Sequence, residues 1–235
     1  MQKGKLYLIP NTLGSDDLSR VIPPYIKEVI NTIEHYIVEN IQTAAKFLKL
    51  AGINKPLREL TFYVLNAKSR ESDITTYLDE TEGGKDTGLI SEAGLPCIAD
   101  PGSVIVKMAH QKGIQVVPLS GPSSILLALM ASGVSGQNFA FIGYLPIDKT
   151  ARAKKIKGLG SKIKQEGQTQ IFIEAPHRND KLLADILSNL PGDIILSISK
   201  NLTMDTEQII SGTIEELRSK KITLGKEPVI FVMGK

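Results

Sequence analysis

Residues 88–117 read GLISEAGLPCIADPGSVIVKMAHQKGIQVV, and this stretch decides the fold. Gly88–Ser91 is a short apolar run bounded by turn residues, the pattern of a buried strand. Two turns rich in small residues follow, Ser91-Glu92-Ala93-Gly94-Leu95-Pro96 and Ala99-Asp100-Pro101-Gly102-Ser103. Val104–Lys112 then has helical spacing and stops at Gly113, where glycine tolerates the left-handed turn that ends a helix. Ile114–Val117 is the next strand. Strand, loop, helix and strand within about thirty residues make a βαβ unit, whose two strands must run parallel.

Upstream the alternation continues. Lys5–Ile9 reads as a first strand, ended by Pro10-Asn11-Thr12-Leu13-Gly14. A helix is predicted from Ser19 to about Ile30. Asn40 is placed to cap a second over Ile41–Ala51, with Ala44, Ala45 and Leu48 on one face and Gly52 as its stop. Thr61–Leu65 is a β-branched and aromatic strand. Ser72–Thr81 reads as a helix capped by Ser72 and broken by Gly83-Gly84. Such alternation predicts a mostly parallel sheet with helices on both faces. The pattern changes after 118–122. Pro122 can open a helix that continues over Ser124–Ala131. Strand-like segments then crowd together: Phe139–Tyr144, Thr169–Ile173, Ile194–Ser199, Glu207–Ser211 and Val229–Met233. Only two helices interrupt them, a basic one near 151–165 and Lys181–Leu190. The chain is therefore expected to be α/β with two α/β domains, 1–118 with a mostly parallel sheet and 119–235 with a mixed one.

Of 235 residues, 42% are apolar and 23% charged, and mean hydropathy is −0.01. These values exclude disordered and fibrous classes. A single cysteine, Cys97, excludes a disulfide scaffold. The most apolar run, Ile125–Ala131, is far too short to span a bilayer. Met1–Lys5 leads straight into a strand, so no signal peptide and a cytoplasmic protein are expected. Net charge is +3 and unevenly spread. Seven bases, Lys149, Arg152, Lys154, Lys155, Lys157, Lys162 and Lys164, lie between Asp148 and Glu166 with no acid among them. Such a stripe either attracts phosphates or solvates a helix face.

Several chemistries lack their residues. There is no G-x-x-x-x-G-K-[ST] loop, and Gly158-Leu159-Gly160 sits among lysines rather than after a strand. His35, His110 and His177 have no metal-ligand spacing, so no metal is expected. No G-x-S-x-G elbow is present. What remains is a set of turns at strand ends, 10–14, 91–96, 99–103 and 121–124. Ligands bind at that edge of an open α/β sheet, where small residues let them approach the backbone. Asp100 can serve there as a cap or as an acceptor for a ligand hydroxyl.

The segment 88–102 together with Val116-Val117-Pro118-Leu119-Ser120-Gly121-Pro122-Ser123-Ser124 resembles the tetrapyrrole (corrin/porphyrin) methylase superfamily, the class III S-adenosylmethionine-dependent methyltransferases. Gly143-Tyr144-Leu145-Pro146, Asn201-Leu202-Thr203 and Gly212-Thr213 extend the likeness along nearly the whole chain. Glu174-Ala175-Pro176-His177-Arg178 is similar to the branch that methylates the ribose 2′-hydroxyl of a cytidine in small-subunit ribosomal RNA. The resemblance implies a cleft between the two domains holding S-adenosyl-L-methionine, and a homodimer. It implies cofactor-binding roles for Pro10, Asp100, Ser103, Ser123, Ser124, Glu174, Ala175 and Leu202. The branch's usual Thr-Pro-Ile-Gly-Asn is here Asn11-Thr12-Leu13-Gly14-Ser15, and only Glu39 survives of its Ala-Glu-Asp-Thr-Arg.

In-line methyl transfer to a hydroxyl needs a group to take the proton, and Glu39 and Glu92 are the candidates by position. Three readings stand on the sequence. The first is a methyltransferase acting on ribosomal RNA or the small ribosomal subunit. The second is a methyltransferase for a tetrapyrrole or other small molecule, and the third a cofactor-binding protein without methylation activity.

Overall fold

The computed structural model describes residues 2–66 and 68–235 and divides into two compact units, Met1–Ser123 and Ser124–Lys235. The division leaves Ser123 in the first unit and opens the second with Ser124.

In the first unit β1 (Lys5–Ile9), β2 (His35–Val38), β3 (Thr61–Val64), β4 (Thr87–Ile90) and β5 (Gln115–Pro118) form a sheet ordered β3-β2-β4-β1-β5. Every pairing is parallel. The helices are α1 (Tyr25–Thr32), α2 (Ile41–Leu50), α3 (Glu71–Ile74), α4 (Asp79–Glu82) and α5 (Ser103–Gln111). Connections after β1 and β2 cross the sheet one way, and those after β3 and β4 the other. Right-handed crossovers therefore send α1 and α2 to one face and α5 to the opposite face. The two buried clusters follow this division. Ile26, Ile30, Phe47 and Leu48 pack on Ile9, Tyr36, Val38 and Ile90. Ile74, Leu78, Ile105 and Ala109 pack on Leu6, Ile37, Leu65 and Leu89. Neighbouring strands β2 and β4 thus lead into helices on opposite faces, and a crevice opens at their carboxyl ends.

Several expectations for this unit are corrected. The helix expected over 19–30 is a single 3-10 turn, Leu18–Arg20, followed by α1, because Pro23 and Pro24 offer no N–H to continue it. The helix expected over 72–81 is two short pieces, α3 and α4. Between them the Tyr77 hydroxyl donates to the Val64 carbonyl at 2.7 Å and its ring meets Tyr63, contacts that a continuous helix would have to satisfy as well. Ser72 lies inside α3 and engages Asp73 rather than capping. Strand β2 is unpredicted, since all four of its residues are buried and a strand covered on both faces shows no alternation. Asn40 does cap α2, accepting from the N–H groups of Gln42 and Thr43, and Phe47 joins Ala44 and Leu48 on the buried face in place of Ala45.

In the second unit β6 (Phe139–Tyr144), β7 (Thr169–Ile173), β8 (Ile195–Lys200), β9 (Gln208–Thr213) and β10 (Val229–Gly234) are ordered β6-β7-β10-β8-β9. Only β6 and β7 run parallel. Helix α6 (Ser124–Ser132) packs on β8, β9 and β10. It starts two residues after Pro122, so that proline precedes the helix instead of opening it. Helices α7 (Lys149–Glu166), α8 (Asn179–Asn189) and α9 (Ile214–Arg218) bury Ile156, Ile163, Leu182, Ile186 and Leu217 on Phe172, Leu196 and Phe231. The unpredicted α9 opens with a reciprocal cap between Thr213 and Glu216.

Helix α7 does not carry a seven-base stripe. Arg152 is only 3% exposed. Its Nε donates to Asp185 Oδ2 at 2.7 Å, and Nη1 donates to the carbonyls of Pro146 and Ile147. Lys164 pairs with Asp193 at 3.0 Å. Five exposed lysines remain.

Candidate active site

Three turns far apart in sequence meet at the carboxyl edge of the first sheet. Asn11, buried behind Pro10, donates its Nδ2 to the carbonyls of Ser91 and Glu92 at 3.1 and 3.0 Å. Its backbone N–H donates to Gly94 O, and Gly94 N–H donates to Thr12 O. The turn after β1 is so tied to the turn after β4. Gly121 lies directly on Pro10, because a Cβ there would stand 2.1 Å from Pro10 Cβ. That contact brings in the turn after β5, with half-buried Ser123.

The 91–102 loop holds an unusual backbone. Gly94, Cys97 and Ala99 all have positive φ, and for the last two this is strain. Asp100 holds the loop in place: its Oδ2 accepts from Cys97 N–H at 2.8 Å and its Oδ1 from Gly102 N–H at 2.7 Å. One lone-pair direction on each oxygen is so engaged. Ser103 is exposed at the start of α5. Burial and the Asp100 charge push the Cys97 thiol up to about 11, which keeps it protonated at neutral pH.

Val38, Glu39, Ser91, Asp100 and Gly102 line a small pocket in the β2–β4 crevice. Glu39 Oε1 accepts from Glu92 N–H at 3.2 Å. Burial raises the Glu39 carboxyl above its ordinary value; the Glu92 N–H pulls it down, and the charges on Asp100 and Glu92 add to the rise. Burial likewise raises Asp100 against the lowering effect of Gly102 and Cys97 N–H. Glu92 is exposed, with its side chain beside a second concavity lined by Asn11, Thr12, Thr43, Lys46 and Phe47. Each of the two carboxylates expected to take a proton thus lines a concavity, Glu39 half-buried and Glu92 exposed.

In the second unit Glu174 follows β7 and is 6% exposed. Its Oε1 accepts from Ala175 N–H at 2.7 Å and pairs with the Arg178 guanidinium. It fixes the turn that presents Ala175. Leu202 is buried in the turn after β8, between Asn201 at φ 51° and Thr203 at φ 71°. A β-branched residue in that region is an outlier. Asn201 Oδ1 and Thr203 Oγ1 are buried without a hydrogen-bond partner among the described residues. Buried acceptors are normally satisfied, so these two suit a ligand bearing amino donors, as adenine does. The resemblance assigns a binding role to Leu202 and none to its two neighbours or to Asn11. Among the described residues no group of three or more His, Cys, Asp or Glu could hold a metal ion.

Comparison with known proteins agrees with this layout. The profile of the tetrapyrrole (corrin/porphyrin) methylases matches residues 14–218. Ribosomal RNA small subunit methyltransferase I of Bacillus subtilis (strain 168) is 34% identical over 216 residues, 91% of this chain and 69% of that protein. The protein of the same name from Xylella fastidiosa is 30% identical over 218 residues, 92% of this chain and 75% of the other. Among solved structures, the methyltransferase CobJ covers 99% of this chain with 94% of its own, at a TM-score of 0.66 and 14% identity. Uroporphyrin III C-methyl transferase from Thermus thermophilus covers 99% with 98% of its own, at a TM-score of 0.62 and 14% identity. At such identities the two structures establish the fold, while the matched profile, spanning most of both units, establishes kinship: the chain belongs to the tetrapyrrole (corrin/porphyrin) methylase family and is a methyltransferase.

Proposed function

We propose that this methyltransferase uses S-adenosyl-L-methionine to methylate a ribose 2′-hydroxyl in the RNA of the small ribosomal subunit. The observation that carries the reading is the likeness, over nine-tenths of the chain, to proteins named ribosomal RNA small subunit methyltransferase I. The cofactor, when bound, supplies an electrophilic methyl carbon on a sulfonium. Pro10, Asp100, Ser103 and Ser123 in the first unit, and Ser124, Glu174, Ala175 and Leu202 in the second, are the residues proposed to hold it. The unpartnered Asn201 Oδ1 and Thr203 Oγ1 support an amino-bearing group beside Leu202. Asp100 braces its own loop and offers its remaining lone pairs to a hydroxyl.

Glu39 takes the acceptor's proton. Its Oε1 is held by Glu92 N–H, which leaves Oε2 for the incoming hydroxyl. A carboxylate made more basic by burial is a better proton acceptor late in the transfer. Glu92 is the alternative acceptor. The reading also carries a cytoplasmic homodimer. Met130 on the largely apolar α6 is 79% exposed, as a helix with a covering partner would leave it in one copy.

The test is to incubate the protein and methyl-labelled cofactor with small ribosomal subunits, large subunits and a tetrapyrrole. Label on the small subunit alone supports the reading. Label on the tetrapyrrole moves the function to small-molecule methylation, which the altered 11–15 and 38–42 motifs would then explain, and label nowhere leaves a cofactor-binding protein.

A further inference from the structure

Helix α7 is well capped, by Asp148, whose side chain accepts from Ala151 N–H at 2.8 Å, and by Gly167, yet it concentrates lysines on its exposed side. Lys149 stands in its first turn, which contains no acidic residue. Cations there oppose the helix dipole. Lys154 and Lys157 are three residues apart, a like-charge pair on one surface. A helix face serving only for solubility would intersperse acids four residues from its lysines, and within α7 only Lys162 has one, Glu166. Lys149, Lys154, Lys155, Lys157 and Lys162 are exposed, and none has an ion pair among the described residues.

These five do not form one stripe. At 100° per residue, Lys149, Lys157 and Lys154 fall at about 0°, 80° and 140°, and Lys162 and Lys155 lie further round at about 220° and 240°. Only the first three, with Thr150 and Ala153, line a shallow concavity. They span about 12 Å along the axis. Thr150 and Ala153 are small, and the three lysines lie round them. No arginine fork and no aromatic ring lines it, so it offers charge without base readout.

We infer that the Lys149–Lys154–Lys157 flank of α7 is a docking surface for the phosphate backbone of RNA. The inference rests on the proposed RNA substrate and adds where on the second unit that RNA is gripped. A membrane fits the surface less well. A helix lying on lipid needs an apolar face to insert, and here Ile156, Leu159 and Ile163 are spent on the protein's own core.

The experiment compares the parent with two variants of the full chain. One is Lys149→Gln/Lys154→Gln/Lys157→Gln, and the control is Lys155→Gln/Lys162→Gln. Affinity for a short single-stranded RNA of mixed sequence is measured over a potassium chloride series. Three lost phosphate contacts should weaken binding about 100-fold at 0.1 M salt and flatten the log–log salt slope by about 2. The control should keep the parent slope, and all three proteins should share one thermal midpoint and one cofactor affinity, which shows that the fold is intact. Equal losses in both variants would overturn the inference, as would parent-like RNA binding by the triple variant. Loss of binding to anionic phospholipid vesicles, with RNA binding unchanged, would assign the surface to a membrane and also overturn it. Methyl transfer to small subunits is assayed alongside. If the parent labels the subunits while the triple variant binds RNA unchanged, only the inference fails. If the parent neither binds RNA nor labels subunits, the proposed function fails first.

Discussion

Glu39 and Asp100 are carboxyls that burial makes reluctant to ionise. A folded-state pKa above the unfolded one means that the native state binds protons more tightly. Each group therefore lowers stability as pH rises from the ordinary carboxylate range through its raised value, and that cost persists above it. Glu39→Gln keeps a carbonyl oxygen for Glu92 N–H and removes the charge. Its thermal midpoint at neutral pH is expected to equal or exceed the parent's, while methyl transfer falls about 100-fold. The parent's rate should climb with pH through an ionisation above about 4.3, and the variant should lack that limb. Full activity in the variant would remove Glu39 from the chemistry. Thr203 offers a second test. Thr203→Gly relieves the left-handed strain and deletes the unpartnered hydroxyl, so the fold should hold while cofactor affinity drops about two- to tenfold by calorimetry. An unchanged dissociation constant would leave that hydroxyl without a ligand. The turns 10–14, 91–103 and 121–124 were legible in the sequence, because glycine and proline mark a strained backbone directly. Asn11, Asn201 and Thr203 were not, because their importance lies in burial and missing partners, which only the folded chain defines.

At the scale of elements, the convergence of turns depends on Gly121 lying against Pro10. Gly121→Ala would force those loops apart, with a loss of about 1–3 kcal/mol in unfolding free energy and weaker cofactor binding. Parent-like values for both would mean that the contact is not needed. Arg152 shows how a residue can be misread from its neighbours. Among six lysines it looks like one more surface charge, yet it is the buried partner of Asp185. Arg152→Ala should cost about 3 kcal/mol in denaturant unfolding, because it strands a partly buried carboxylate and two carbonyls. Its effect should be on stability, with the RNA salt slope of the folded protein unchanged. Lys5–Ile9, Phe139–Tyr144 and Thr169–Ile173 were read to the residue, since each is apolar and β-branched or aromatic between clear breakers. The misread elements have physical causes. Full burial hides β2, and the Tyr77–Val64 contact splits the expected 72–81 helix. Pro23-Pro24 spells the break before α1 in the sequence itself, as Thr213…Glu216 spells the cap of α9.

At the scale of the molecule, charge and chemistry divide between the two units. The first holds 13 bases and 14 acids and carries the acidic crevice with Glu39 and Asp100, while the second holds 15 bases and 11 acids and carries α7. The proposed RNA substrate accounts for both features: phosphates favour the basic unit, and the proposed proton acceptor, Glu39, belongs to the other. The central claim is transfer to a ribose oxygen, and a 2′-O-methyl group protects the adjoining phosphodiester from alkali. The most direct measurement is to label small-subunit RNA with the protein and methyl-labelled cofactor, hydrolyse the RNA in alkali and separate the products. The account predicts label in alkali-resistant dinucleotides, abolished in Glu39→Gln; label in single nucleotides, which would place the methyl group on a base, would contradict it.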